Sequence, residues 1–113
     1  MNRELENYYL KQPEPIQSCL LALKSIVLNI SPEISHERKF QIPFFMYKGK
    51  KLAFLWVNRK RLIMGFVKDR ALLPKPETGR RKDEFETIIV DPNEDIPVRL
   101  ITDLLRRYMK LCE

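Results

Sequence analysis

The sequence predicts an α+β fold: an antiparallel sheet of about four strands with an N-terminal and a C-terminal helix packed on one face. Three observations carry that expectation: an apolar stripe at helical spacing near the start, short β-prone runs joined by polar turns in the middle, and a second helical stripe at the end. With 113 residues, 44% of them hydrophobic and 32% charged, and with only three glycines, the chain has the size and composition of one ordered domain covering residues 1–113.

From Ile16 the apolar positions Ile16, Cys19, Leu20, Leu23, Ile26 and Val27 fall on one helical face, which predicts a helix from about Pro15 to Leu28. Ser31-Pro32 ends it, because Pro32 turns Ser31 away from helical backbone and has no N–H of its own. Upstream, Leu5, Tyr8 and Tyr9 predict a short helix that lays its aromatics over the same core. Phe40 and Ile42 alternate with Lys39 and Gln41, Pro43 interrupts, and Phe44 to Tyr47 resumes. That pattern reads as an edge strand broken at Pro43, with Phe40 and Ile42 turned to the core. Leu52 to Val57 and Leu62 to Val67 are two further strands joined by the polar cluster Asn58 to Arg61. Lys68 to Asp83 contains Pro74, Pro76 and Gly79 and reads as a long loop. Glu86 to Val90 is a last strand, and Ile101, Leu104, Leu105, Tyr108 and Cys112 trace one face of a helix opened by Pro97.

No apolar run approaches the roughly 20 residues of a membrane span. The start, Met1-Asn2-Arg3-Glu4-Leu5-Glu6, lacks the basic-then-apolar order of a secretory leader. A cytoplasmic location with no membrane partner is therefore expected, and there Cys19 and Cys112 are expected as buried thiols rather than a disulfide. The chain has no nucleophile elbow, P-loop, dinucleotide-binding turn or H-E-x-x-H motif, so no catalytic residue is assigned, no cofactor is required and catalysis is not expected.

The net charge of +6 favours anionic partners. Lys48, Lys50, Lys51, Arg59, Lys60 and Arg61 gather at the two turns flanking Leu52 to Val57. Solvated turns are one reading of them. An RNA or single-stranded DNA surface is the other, and it needs an exposed aromatic platform on the sheet, for which Phe54, Trp56 and Phe66 are the candidates. Gly79-Arg80-Arg81-Lys82 is a tighter cluster, suited to a phosphate or carboxylate or, more simply, to keeping a loop soluble.

The stretch His36 to Lys50, through Glu37, Phe40, Pro43, Phe45, Tyr47, Gly49 and Lys50, resembles the YdhG-like family of small bacterial domains of unknown function. Gly65-Phe66, Gly79-Arg80 and Asp95-Ile96-Pro97 extend the resemblance over most of the chain. It implies an α+β fold of this size and, for some relatives, an iron-chaperone role similar to frataxin. The sequence departs from that analogy, because the acidic ridge of hard oxygen ligands has no counterpart in Ile16 to Asn29, which contains no Asp or Glu.

The leading expectation is a non-enzymatic domain, monomer or homodimer, that binds an anionic small molecule beside the Pro43 break. Its site is expected to draw on Glu37, Phe40, Pro43, Tyr47, Gly65, Phe66, Gly79, Arg80, Arg81 and Lys82. The alternative is iron held by Glu33, His36 and Glu37 with carboxylates from Asp91, Glu94 or Asp95, and the further alternative is nucleic acid on the basic turns. Period two places Glu37 at the surface beside Lys39. A turn before Lys39 would instead fold the carboxylate inward, and that structural role in the chain path is the one expected.

Overall fold

The computed structural model describes residues 3–113. Helices α1 (Arg3–Leu10) and α2 (Ile16–Ile30) lead into β1 (Ile34–Lys39), β2 (Ile42–Tyr47), β3 (Lys50–Asn58) and β4 (Arg61–Lys68). A 3-10 turn (Arg70–Leu72) and a loop follow, then β5 (Glu84–Val90) and α3 (Val98–Leu111). The strands form one antiparallel meander in chain order, β1-β2-β3-β4-β5. The expected α+β class holds, with five strands in place of about four. The additional strand is β1, whose sequence Ile-Ser-His-Glu-Arg-Lys has a single apolar residue, as suits an edge strand wet on one side.

Pro43 requires a correction. It lies not on an edge strand but in β2, between β1 and β3, opposite Arg38. Proline is accommodated there because it precedes the first residue of the β2–β3 register, Phe44↔Phe54, and so stands at the end of that ladder.

The first three turns of the meander are two-residue hairpin loops. Phe40 and Gln41 (φ 52° and 66°), Lys48 and Gly49 (53° and 77°), and Arg59 and Lys60 (51° and 65°) each form a two-residue loop with both residues left-handed, the I′ geometry that matches strand twist. Only one of these six residues is glycine. A phenylalanine at φ 52° is held where bulky residues rarely sit, so Phe40 is neither a strand nor a core residue as the alternation had implied.

Both faces of the sheet carry apolar side chains, but the helices cover only one. Phe45 and Tyr47 of β2, Ala53 and Leu55 of β3, and Leu62, Met64 and Phe66 of β4 meet Leu20, Leu23 and Val27 of α2 and Ile101 and Leu105 of α3 in the main core. Complete burial of each Val, Leu, Ile, Met or Phe side chain among them contributes about 1.5–3 kcal/mol. Tyr9 of α1 closes the core over β1 and β2, and the free thiols of Cys19 and Cys112 are both buried in it. A β-bulge interrupts β3: Phe45 pairs with Ala53 but the next residue, Met46, pairs with Lys51, so Leu52 is the extra residue. The bulge lets both Leu52 and Ala53 enter the core and sends Lys51 to the other side of the sheet.

Candidate functional site

The uncovered face is aromatic. Ile42 and Phe44 of β2, Phe54 and Trp56 of β3, Val67 of β4, and Phe85 and Thr87 of β5 line a groove of about 410 Å³ with Phe40 at its rim, within the size range of small-molecule sites. Phe44 and Phe54 form a buried floor, while Phe40 (74% exposed), Phe85 (62%) and Trp56 (40%) stand open to solvent. The rings run as a file: Phe40 lies 5.6 Å from Phe44, Phe44 5.4 Å from Phe54, and Phe54 5.8 Å from Phe85, centroid to centroid. These are edge-to-face and tilted aromatic contacts, attractive in themselves.

Gly65 makes the floor. It faces the groove between Phe54 and Thr87, and the Phe54 ring lies directly over its Cα, where a methyl group would meet ring carbon Cδ2 at 2.8 Å and Cε2 and Cζ closer still. Phe54 thereby lies against the sheet rather than standing up from it.

One end of the groove is closed by charge. Lys51, almost fully buried, reaches Asp83 (Nζ to Oδ2, 2.9 Å) and stands 4.0 Å from Asp69. Asp69 accepts the backbone N–H groups of Lys51 and Ala71, and Asp83 accepts that of Arg70. Burial raises the Asp69 pKa, but those two N–H groups and the charges of Lys51 and Arg70 outweigh it and hold the carboxyl below its ordinary value of 3.8. Asp83 also borders the hollow of about 430 Å³ under Arg80, Arg81 and Lys82, so the basic loop adjoins the aromatic groove.

Of the residues expected at the site, the structure brings Phe40 to the rim of the groove, sets Gly65 beneath its Phe54 floor and places Arg80, Arg81 and Lys82 beside it. Gly79, at φ 79°, supplies the left-handed turn that begins this basic cluster. Pro43 is buried at the start of β2 and shapes the hairpin without lining the groove. Tyr47 and Phe66 belong to the opposite, helix-covered face, where Tyr47 donates to Glu113 (3.0 Å) and Phe66 packs against Tyr108. Glu37 is exposed on β1 with a bond from the Ser35 hydroxyl (3.0 Å), which overturns the expected inward structural role.

The set expected for iron does not assemble. His36 and Glu37 are neighbours on a strand and point to opposite faces. His36 lies under α1, stacked on Phe45 with its Nε2 2.7 Å from the Tyr9 hydroxyl, whereas Asp91, Glu94 and Asp95 follow β5 at the far edge of the sheet. Among the described residues no group of three or more His, Cys, Asp or Glu side chains is placed to hold a metal ion.

Burial, reinforced by the charge of Lys24, pushes the His36 imidazole down from 6.5 to about 4. The unfolded chain therefore takes up a proton that the folded chain refuses, and the folded state loses stability as pH falls from 6.5 to about 4. The melting temperature is expected to decline through that window in the parent and to decline less in His36→Gln, which keeps a polar partner for Tyr9 but does not titrate. Parallel curves for the two proteins would show that His36 is not the group responsible.

A second hollow, of about 510 Å³, lies between the start of α2 and the end of β5. There the Glu14 carboxylate already accepts the Ser18 N–H (2.8 Å), so the helix end is occupied by the chain itself. The groove and the Lys51 cluster were hidden from sequence reasoning, although the consecutive pairs Phe44-Phe45 and Phe54-Leu55 were a signal that both faces of the sheet are apolar. Among the described residues no helix is long and apolar enough to cross a membrane. No family model matches the chain, and no curated protein or solved structure matches it significantly.

Proposed function

We propose that this is a non-enzymatic binding domain of the YdhG-like type, acting in the cytoplasm, whose ligand surface is the open aromatic face of the sheet. The observation that carries the reading is that Phe40, Trp56 and Phe85 remain exposed around a floor of Phe44 and Phe54, on the face that no helix covers. A bare helix-on-sheet core has no need of a phenylalanine at a left-handed turn position, and large aromatic residues kept in solvent mark interaction surfaces. The stretch that carries the family likeness, Glu37 to Lys50, spans the β1–β2 hairpin and the turn into β3, and so includes Phe40 on the rim. The apolar groove with the cationic Arg80 to Lys82 loop beside it favours a planar ligand that carries negative charge.

Trp56, the one tryptophan of the chain, reports on the groove directly. Titration with 8-anilinonaphthalene-1-sulfonate, a planar aromatic anion, is expected to quench Trp56 as the dye brightens. Phe85→Ser should weaken that binding by about tenfold, the upper end of one aromatic contact, while the protein stays folded with only a small fall in melting temperature from the lost Phe54 contact. Dye binding with no transfer from Trp56, or indifferent to Phe85→Ser, would place the ligand surface elsewhere.

A further inference from the structure

We propose that the occupant of the open face is a single-stranded nucleic acid, its bases stacked on the exposed rings and its phosphates held by the cations at the rim; this rests on the reading of that face as the ligand surface. The rings are arranged for stacking. Phe40, Trp56 and Phe85 come from the β1–β2 turn, β3 and β5, so they are spread across the sheet rather than gathered at one point, and the file of rings between Phe40 and Phe85 is unbroken. Stacking on such rings tolerates any base, because every base has a π-face, and it is open only to bases that are not already stacked in a duplex.

The charge around the face matches phosphate. Lys39 of β1 and Arg61 of β4 alternate to the open side, and Arg80, Arg81 and Lys82 border it beyond Asp83. The nearby acids oppose this little. Asp83 is paired with Lys51, Glu84 and Glu86 alternate to the helix side where Glu86 accepts from Tyr108 (2.7 Å), and of the acids on the described strands Glu37 stands exposed on the open side. A second copy of the chain is a poorer occupant, because face-to-face pairing would bring two +6 chains together with their cationic rims opposed.

The test uses the full chain with fluorescein-labelled oligo-dT and oligo-U of about 12 nucleotides, a length within the range of single-strand site sizes, and with a duplex of equal length. At about 50 mM salt the single strands are expected to bind, to quench Trp56, and to lose affinity linearly in log salt. Phe40→Ala and Phe85→Ala should each weaken binding by about tenfold, with folding unchanged because both rings are exposed. Arg80→Ala combined with Arg81→Ala should flatten the salt slope by about 1.4, or about 0.7 for each phosphate contact on a single strand. Preference for oligo-U or for oligo-dT supports the proposal and says whether the ribose hydroxyl is read. The proposal is overturned if the chain binds the sulfonate dye but no oligonucleotide, if the duplex binds as well as the single strands, or if the ring substitutions leave oligonucleotide binding intact. A dimer dissolved by Phe85→Ala, with no oligonucleotide bound, would assign the face to protein instead. Absence of dye binding as well would remove the groove itself as a ligand surface.

Discussion

Gly65→Val is expected to lower stability by about 1–3 kcal/mol, the range for overpacking, and to abolish dye binding in the groove. The reason is local. The Phe54 ring occupies the space into which any side chain at position 65 would grow, and Phe54 is itself pinned between Phe44 on one side and Phe85 on the other. The ring cannot yield without lifting off the sheet, and once lifted it fills the groove. Backbone conformation is not the obstacle, since Gly65 is an ordinary strand residue whose φ lies outside the left-handed region, unlike Gly49 and Gly79. A second change separates the two explanations: Phe54→Ala in the Gly65→Val background makes room and should recover part of the lost stability while leaving the groove misshapen. Chemical denaturation of the four proteins of that cycle measures the coupling. If Gly65→Val is as stable as the parent and still binds the dye, the seating of Phe54 has no role in the site.

That glycine illustrates what the sequence discloses and what it withholds. The helices were legible because their apolar residues recur on one stripe and each is bounded by proline: Ser31-Pro32 after α2 and Pro97 before α3. The β3–β4 hairpin was legible because two apolar runs flank a short polar cluster. The groove was not, because alternation identifies a core only when one face of a strand is polar, and in β2 and β3 both faces are apolar. The bulge at Leu52 then shifts the parity of β3, so counting back in twos from Ala53 would place Lys51 in the core. Phe40 misled for a related reason: a phenylalanine two residues before Ile42 looks like a strand position, and only the left-handed backbone at Phe40 and Gln41 converts it into a turn residue with a ring on the rim. Gly65 and Phe66 were expected together at the site, yet the two neighbours serve opposite faces, one seating Phe54 and the other filling the core beneath α3.

Lys51→Met is expected to produce the largest loss of stability of any single change outside the apolar core, about 3–5 kcal/mol near neutral pH. Methionine nearly matches the lysine stem in volume, so packing is kept and the ammonium alone is removed. What remains is two carboxylates, Asp69 with 11% and Asp83 with 23% of its side chain exposed, facing one another without the cation between them. Asp69 keeps its two backbone N–H donors, from Ala71 and from residue 51, and Asp83 keeps that of Arg70, but these cannot neutralise two charges, one buried and one half-buried. The pH dependence follows in sign. In the parent, Asp69 titrates below its ordinary 3.8, so it contributes stability above that pH, and the contribution is lost as pH falls through the lower folded value. Removing the Lys51 charge raises the folded-state pKa, so the acid limb of the variant should begin at higher pH than that of the parent. The consequence reaches the groove, because this cluster ties the bulge of β3 to the 3-10 turn and to the start of β5. Amide exchange should quicken at Arg70 and Ala71, and the Arg80 to Lys82 loop should lose its fixed place beside Phe85. The double variant Lys51→Met with Asp83→Asn removes one charge of each sign while preserving an acceptor for the Arg70 N–H, and should recover most of the loss. A Lys51→Met protein within about 0.5 kcal/mol of the parent, the range of an ordinary surface substitution, would show that the three charges act as solvated groups and do not hold the end of the groove.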